Sequence, residues 1–201
     1  MTADQEKPDA NFFPKYTHPS FRPYAIAMGE LALAWNGLHD TLGRLFWTVL
    51  GRVNYAPLNI WYSSKVDRAQ RDMLQAAIDA RYANKLAPQK PREEIEWILK
   101  EANKIEDLRN DALHSPLILL GTKQKSRVIP SHHFGHARAA KLNKLDMLRE
   151  FRWFRGTATA LRDYAGRIEY ALDHPENAWP DRPRLPSRGA HKKLRPLHPK
   201  S

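Results

Sequence analysis

The chain has 201 residues, and not one of them is cysteine. This absence excludes disulfide scaffolds and thiolate metal sites, and it is typical of cytoplasmic proteins, so we expect a cytoplasmic location. Apolar runs of about 18 residues are absent too, so the sequence predicts no membrane-spanning helix. The polar residues at the beginning of the sequence argue against a secretion signal.

Motifs of several large enzyme classes are missing as well. The chain contains no glycine-rich phosphate loop, no Gly-x-Ser-x-Gly elbow and no His-Glu-x-x-His pair. A cluster of histidines, His132, His133 and His136, supplies at most three local metal ligands and has no acidic neighbour. We interpret this segment as a solvated basic loop, with an RNA contact through Phe134 as the alternative. We therefore predict neither a metal nor a cofactor.

Negative charge is scarce. Aspartate and glutamate number 22 against 33 lysines and arginines, which gives a net charge of +11. Seven basic and two acidic residues lie from Pro175 onward, so this tail carries +5 and the rest of the chain +6. A basic balance in both parts indicates a polyanionic partner such as RNA. The alternative is that the charge serves solubility alone.

Proline at the two ends of the chain divides it into three segments. Residues 1–24 contain prolines among aromatic residues and are predicted to form an extended arm. Residues 175–201 contain six prolines, and we expect this basic tail to be disordered. Residues 25–174 are predicted to fold as one domain.

Apolar residues in this domain recur at steps of three and four, which is typical of amphipathic helices. The pattern predicts helices over about residues 25–50, 64–86, 93–115 and 143–172. The residues after Pro116 indicate a small hairpin or a pair of extended segments. We therefore predict an all-α fold, an antiparallel four-helix bundle with a short extended or hairpin insertion after the third helix and a disordered basic tail.

Local features predict contacts within this bundle. Gly29, Gly37 and Gly43 lie inside the first helix, where glycine weakens a helix by up to about 1 kcal/mol, and we interpret them as points of close approach by a neighbouring helix. Ser64 and Asp67 are spaced as a capping box that begins the second helix. The predicted inner stripe of that helix is Val66, Ala69, Met73, Ala77 and Ala80.

The most informative stretch is Arg109-Asn-Asp-Ala-Leu-His114, near the end of the predicted third helix. Arg109 follows Ile105 by four residues, in line with the apolar face of that helix, so it should point inward. A buried arginine costs several kcal/mol unless another group pairs with it. Histidine transfers protons near neutral pH, and arginine holds phosphate in its planar fork, so the pair favours chemistry on a phosphodiester.

This stretch resembles the motif of the HEPN superfamily (higher eukaryotes and prokaryotes nucleotide-binding domains): an arginine, a polar residue and, after four to six intervening positions, a histidine. Arg109, Asn110 and His114 fit that motif, and the resemblance covers about residues 25–172. It implies an all-α bundle. As in many members of the family, it also implies a metal-independent endoribonuclease whose two motif copies meet across a homodimer interface.

The resemblance further implies a role for each motif residue. His114 would move a proton, as general base toward the 2′-OH or as general acid toward the leaving 5′-oxygen. Arg109 would stabilise charge on the phosphorus, and Asn110 would orient His114 or donate to the phosphate. Such an enzyme would suit a toxin or a phage-defence component, and a toxin would have an antitoxin protein as its partner.

Three other interpretations stay open, one of which is a purely structural helical adaptor. The same fold could serve as a non-catalytic module that binds nucleic acid or protein. Alternatively, the motif is structural: His114 would cap the C-terminus of a helix, and Arg109 would pair with a carboxylate such as that of Asp40.

The predicted fourth helix adds basic residues among aromatic ones. Arg152, Arg155 and Arg162 share one side of it, with Trp153 and Tyr164 among them. Basic and aromatic side chains in this arrangement are typical of a phosphate track with stacking platforms, so we predict that the three arginines bind RNA. The alternative is a solvated face.

Overall fold

The computed structural model describes residues 18–84, 88–121, 126–131, 136–143 and 145–189. After a 3₁₀ turn (Pro19–Phe21), its helices are α1 (Arg22–Val49), α2 (Ala56–Ser63), α3 (Asp67–Arg81), α4 (Lys90–Leu113), α5 (Ala137–Lys141) and α6 (Met147–Asp173). The strands β1 (Leu117–Gly121) and β2 (Ser126–Pro130) pair as an antiparallel hairpin after α4. The mostly helical fold and the hairpin are confirmed, whereas the short helices α2 and α5 were not predicted.

The core is built around α1, which packs along α6 and also contacts α2 and α3, while α4 packs on α6 and α3. Fully buried apolar side chains from these helices include Leu31, Leu38, Leu42, Ile95, Ile98, Phe151 and Leu161. Each such side chain stabilises the fold by roughly 1.5–3 kcal/mol relative to an exposed one. No helix within the described ranges is long and apolar enough to cross a membrane.

The directions of the helices differ from the predicted antiparallel order. Glu30 of α1 contacts Arg155 of α6, and Arg44, further along α1, contacts Glu169, further along α6. The two helices therefore run in the same direction. α3 also runs parallel to α1, because the segment containing α2 carries the chain back before α3 begins. α4 runs opposite to α3 and α6. Its C-terminal end therefore lies at the end of the fold where α6 begins.

The first helix begins earlier than predicted. α1 begins at Arg22 and has Pro23 in its first turn, where a missing N–H leaves no hydrogen bond unmade. The preceding turn buries Phe21. Residues 1–17 of the predicted arm lie outside the described residues.

The predicted capping box of the second long helix is wrong, and its predicted inner stripe is confirmed at Ala77 and, in part, at Met73. Val66 is the N-cap residue of α3 and makes no side-chain cap, while the Ser64 hydroxyl bonds only to the backbone of Val66. The residues that α3 buries are Gln70, Arg71, Leu74, Ala77 and Ile78. Two polar residues thus share the buried stripe with Leu74, Ala77 and Ile78, whereas the predicted stripe residues Val66, Ala69 and Ala80 are exposed.

The glycines of α1 differ in what they contact. A Cβ atom on Gly43 would lie 2.8 Å from Nε1 of Trp61, so α2 does approach closely there. A Cβ atom on Gly37 would lie 3.3 Å from Cδ of Arg162 on α6. At Gly29 no atom lies within 4 Å. The interpretation is confirmed at Gly43, and at Gly37 for one side chain, but it is wrong at Gly29.

Residues 175–189 form neither a helix nor a strand, yet they lie against α4 and α6 instead of being disordered as predicted. Arg182 bonds to Glu94 of α4, and Arg188 bonds to Glu150 of α6. Both carboxylates are buried, so these charge pairs fix a segment whose proline content indicated disorder. Residues 190–201 lie outside the described residues.

Candidate active site at the C-terminal end of α4

The motif occupies the last turns of α4, where the chain leaves the helix. His114 is the C-cap residue, and its backbone N–H donates to the carbonyl of Asn110 at 3.0 Å. Pro116 follows and prevents further helix. Residues five apart on an α-helix point about 140° away from each other. The side chains of Arg109 and His114 therefore leave α4 on different sides, and the first is buried while the second is exposed.

Arg109 points inward, as its register predicts, and is held by two groups. Its guanidinium carbon lies 4.2 Å from the centre of the Trp35 ring, at cation–π distance. Its Nη2 donates to Oδ2 of Asp67 at 3.0 Å, and Nε1 of Trp35 donates to the same oxygen at 2.6 Å. The carboxylate predicted for this role was that of Asp40, which instead bonds to Arg44 and Tyr62.

The electrostatics of this pair keep both partners charged. Burial lowers the pKa of Arg109, against the opposing charge of Asp67, but an arginine retains its proton at neutral pH. Burial by itself would raise the pKa of Asp67. The hydrogen bond from Trp35, the nearby His39 imidazole and the positive charge of Arg109 outweigh that effect, so the pKa of Asp67 lies below its usual value. Asp67 thus fixes the guanidinium in one position.

Part of the Arg109 guanidinium has no partner. Its Nη2 is used by Asp67, but no described residue accepts a hydrogen bond from Nε, which is buried. The side chain as a whole is 11% exposed, so only a small part of Arg109 reaches the surface.

Asn110 and His114 do not form the predicted side-chain contact; the hydrogen bond between them joins backbone atoms. The Asn110 side chain is half-buried and that of His114 is exposed. Neither side chain has a polar partner among the described residues. His114 is therefore available to an external group.

Cations from α5 lie at the same end of α4. Nζ of Lys141 lies 2.8 Å from Oδ2 of Asp111, and Nε of Arg138 lies 3.7 Å from Oδ1 of the same carboxylate. Asp111 precedes His114 by three residues, so α5 brings two exposed cations near the end of the motif. His136 caps α5 by accepting from the N–H of Ala139.

Behind Arg109 lies a buried polar network that was not predicted from the sequence. Nη2 of Arg71 lies 2.6 Å from Oε2 of Glu106, and Nε of Arg71 donates to Oδ1 of Asn103 at 2.7 Å. Nη1 of Arg71 lies 2.8 Å from Nε2 of His39, whose pKa is lowered chiefly by burial. A signal for this network was present: Arg71 precedes Leu74 by three residues and His39 follows Trp35 by four, so both lie in line with buried residues.

The predicted RNA-binding arginines of α6 differ in their surroundings. Arg152 is exposed, with no polar partner among the described residues, whereas Arg155 pairs with Glu30 and Arg162 pairs with its neighbour Asp163. The nearby aromatic platforms are covered as well. Tyr164 is fully buried, and the indole N–H of Trp153 donates to the backbone of the segment 175–189. Only Arg152 of the three keeps an unpaired charge within the described part of the chain.

The histidine cluster is described only in part, because His132 and His133, with Phe134, lie outside the described residues. Within the described ranges, no three histidine, aspartate or glutamate side chains are grouped so that they could hold a metal ion.

No protein-family model, no curated protein and no solved structure matches the chain.

Proposed function

We propose that this protein is a metal-independent endoribonuclease of the HEPN type, acting in the cytoplasm as a homodimer and serving as a toxin or a phage-defence component. The observation that carries the proposal is the arrangement at the end of α4. An exposed histidine without a polar partner among the described residues follows an arginine that Trp35 and Asp67 hold in place. The helices α1, α3, α4 and α6 would be the four helices of the HEPN bundle.

The reaction needs only groups that RNA and this chain supply. The 2′-oxygen attacks the adjacent phosphorus, the bond from phosphorus to the 5′-oxygen breaks, and the products are a 2′,3′-cyclic phosphate and a 5′-hydroxyl. One base takes the proton of the 2′-OH, and one acid gives a proton to the 5′-oxygen. His114 is free for either role. The fixed charge of Arg109 offsets the charge that develops on the phosphoryl oxygens.

The geometry of α4 favours a dimer for this chemistry. One histidine does not easily serve as base and acid in the same step. Moreover, Arg109 and His114 of one chain leave the helix on different sides. A second copy would supply the other histidine, so that each scissile phosphate meets groups from both subunits.

A non-catalytic module that binds RNA is the second candidate. It is favoured by the burial of Arg109 and by its ion pair with Asp67, which pair the charge of the arginine without a ligand. In that case the exposed cations of α5 would bind phosphate, and no bond would break.

The test is cleavage of single-stranded RNA in EDTA by purified wild type, His114→Ala and His174→Ala. His174 is the matched control, because it too is the C-cap residue of a long helix, α6. We expect His114→Ala to lose at least about 100-fold in rate, the range for removing a general acid or base. His174→Ala should cleave like wild type.

Two outcomes would contradict the catalytic proposal. Unchanged cleavage by His114→Ala would remove the assigned residue. Salt-dependent RNA binding by the wild type without any cyclic-phosphate product would favour the binding module instead.

A further inference from the structure

A groove between α4 and α6 holds the segment 179–188 of the same chain, whose sequence is Trp-Pro-Asp-Arg-Pro-Arg-Leu-Pro-Ser-Arg. Prolines occupy every third position from Pro180 to Pro186, the spacing that places them on one side of a polyproline II helix. Five residues separate the end of α6 from Trp179, so the chain turns back at once and runs along α6 in the reverse direction.

The groove contains a pocket for Arg182. Its floor is Glu94, whose side chain is 0% exposed. Nε of Arg182 donates to Oε2 of Glu94 at 2.5 Å, and the hydroxyl of Tyr164 donates to the same oxygen at 2.8 Å. The guanidinium carbon lies 5.4 Å from the centre of the Trp97 ring. A buried carboxylate and an indole thus recognise one arginine.

A second pocket repeats this chemistry six residues later. Arg188 donates from Nε and Nη2 to Oε2 of Glu150, at 3.0 and 2.8 Å, and the Glu150 side chain is 2% exposed. The guanidinium carbon of Arg188 lies 5.2 Å from the centre of the Trp153 ring. Each pocket therefore pairs a charge-assisted hydrogen bond with a cation–π contact.

Between the pockets the groove recognises the backbone and a proline. Nε1 of Trp153 donates to the carbonyl of Pro186 at 2.9 Å. A Cβ atom on Gly156 would lie 3.3 Å from Cγ of Pro186, so glycine gives the proline room to approach α6. Leu185 packs against the core on the α4 side.

We infer that this groove is a peptide-recognition site for proline-rich segments with two arginines six residues apart, and that the chain occupies it with its own residues 179–188. The groove has two similar arginine pockets, a hydrogen-bond donor for a backbone carbonyl and space that fits a proline. A tail held by nonspecific contacts would not need these features. The short connection from α6 gives the internal segment a high effective concentration, so it occupies the groove in the resting protein.

The experiment offers the segment in trans to the full-length chain. A fluorescent peptide of residues 178–189 is titrated into wild type and into the folded variant Arg182→Gln/Arg188→Gln, whose own segment has lost both anchors. We expect saturable binding to the variant and binding at least about tenfold weaker to wild type, where the internal segment competes. The control is the same peptide with both arginines replaced by glutamine, which should not saturate.

Arg188→Gln, which keeps the Arg182 anchor, should bind the peptide with intermediate affinity, and it carries the test if the double variant does not fold. Two results would overturn the inference. One is equal binding of the arginine and glutamine peptides, and the other is equal affinity of wild type and variants for the arginine peptide.

Discussion

Replacing Arg71 by methionine tests whether the buried network behind the motif is a main support of the fold. The Arg71 side chain is 1% exposed, and methionine fills similar space without a donor. Its loss leaves Glu106 as a buried carboxylate without its close cation, and Asn103 and His39 lose a partner too. Breaking a buried pair from one side costs about 3–5 kcal/mol. Because Arg68 still lies 3.4 Å from Glu106, we expect the lower end of that range, about 3 kcal/mol.

The assay is urea unfolding at neutral pH, followed by tryptophan fluorescence and circular dichroism. The matched control is Arg68→Met, on the same helix and facing the same carboxylate oxygen, but with a side chain that is 58% exposed. Exposed pairs contribute at most about 1 kcal/mol, so the control should change little. Adding Glu106→Gln to Arg71→Met removes the uncompensated charge and should recover about 1 kcal/mol or more. Equal losses for Arg71→Met and Arg68→Met would refute the reasoning.

Two further predictions concern packing and acid stability. Gly43→Ala gains helix propensity but forces the fully buried Trp61 to move, whereas Gly29→Ala gains propensity in open space. Because both variants gain the same helix propensity, the difference between their unfolding free energies reflects only the clash with Trp61. We expect Gly43→Ala to be less stable than Gly29→Ala by about 1–3 kcal/mol, and equal stabilities of the two variants would contradict this. Burial would raise the pKa of Glu94, but hydrogen bonds from Arg182, Lys90 and Tyr164 lower it to about 2, below the value of 4.5 for a free side chain. Ionised Glu94 therefore stabilises the folded state by about 2 kcal/mol above pH 4.5, and this contribution is lost as the pH falls toward 2. Unfolding midpoints from pH 7 to pH 2 should fall less steeply for Glu94→Gln, and parallel curves would disprove the assignment.

The sequence was a good guide wherever a local rule decides the structure. The step of four from Ile105 to Arg109 placed the arginine on the buried face of α4, and Pro116 ended that helix. The extended segments after Pro116 indicated a hairpin, which forms. In each case the information lies within a few residues, where helix register and proline geometry act.

Predictions from local rules were wrong where contacts between residues distant in the sequence determine the structure. Arg71 lies on the face of α3 marked by Leu74 and Ile78, but the groups of α1 and α4 that pair with it cannot be inferred from the spacing of apolar residues. Proline content indicated a disordered tail, but Arg182 bonds to a carboxylate 88 residues earlier in the chain, and Arg188 to one 38 residues earlier. Asp67, read as half of a capping box, is instead the partner of Arg109. Such pairs need the tertiary fold, which residue spacing does not contain.

The electrostatics at the end of α4 set a condition on the proposed function. A helix C-terminus carries partial negative charge, so a phosphate near His114 would be repelled by α4 itself. The ion pairs of this region join the cations Arg68, Arg71, Arg109, Arg138 and Lys141 to only three carboxylates, Asp67, Glu106 and Asp111. The excess of positive charge opposes the helix dipole. The exposed side chains of Arg138 and Lys141 on α5 place part of that charge at the surface, so under the proposed function RNA would meet positive charge near His114.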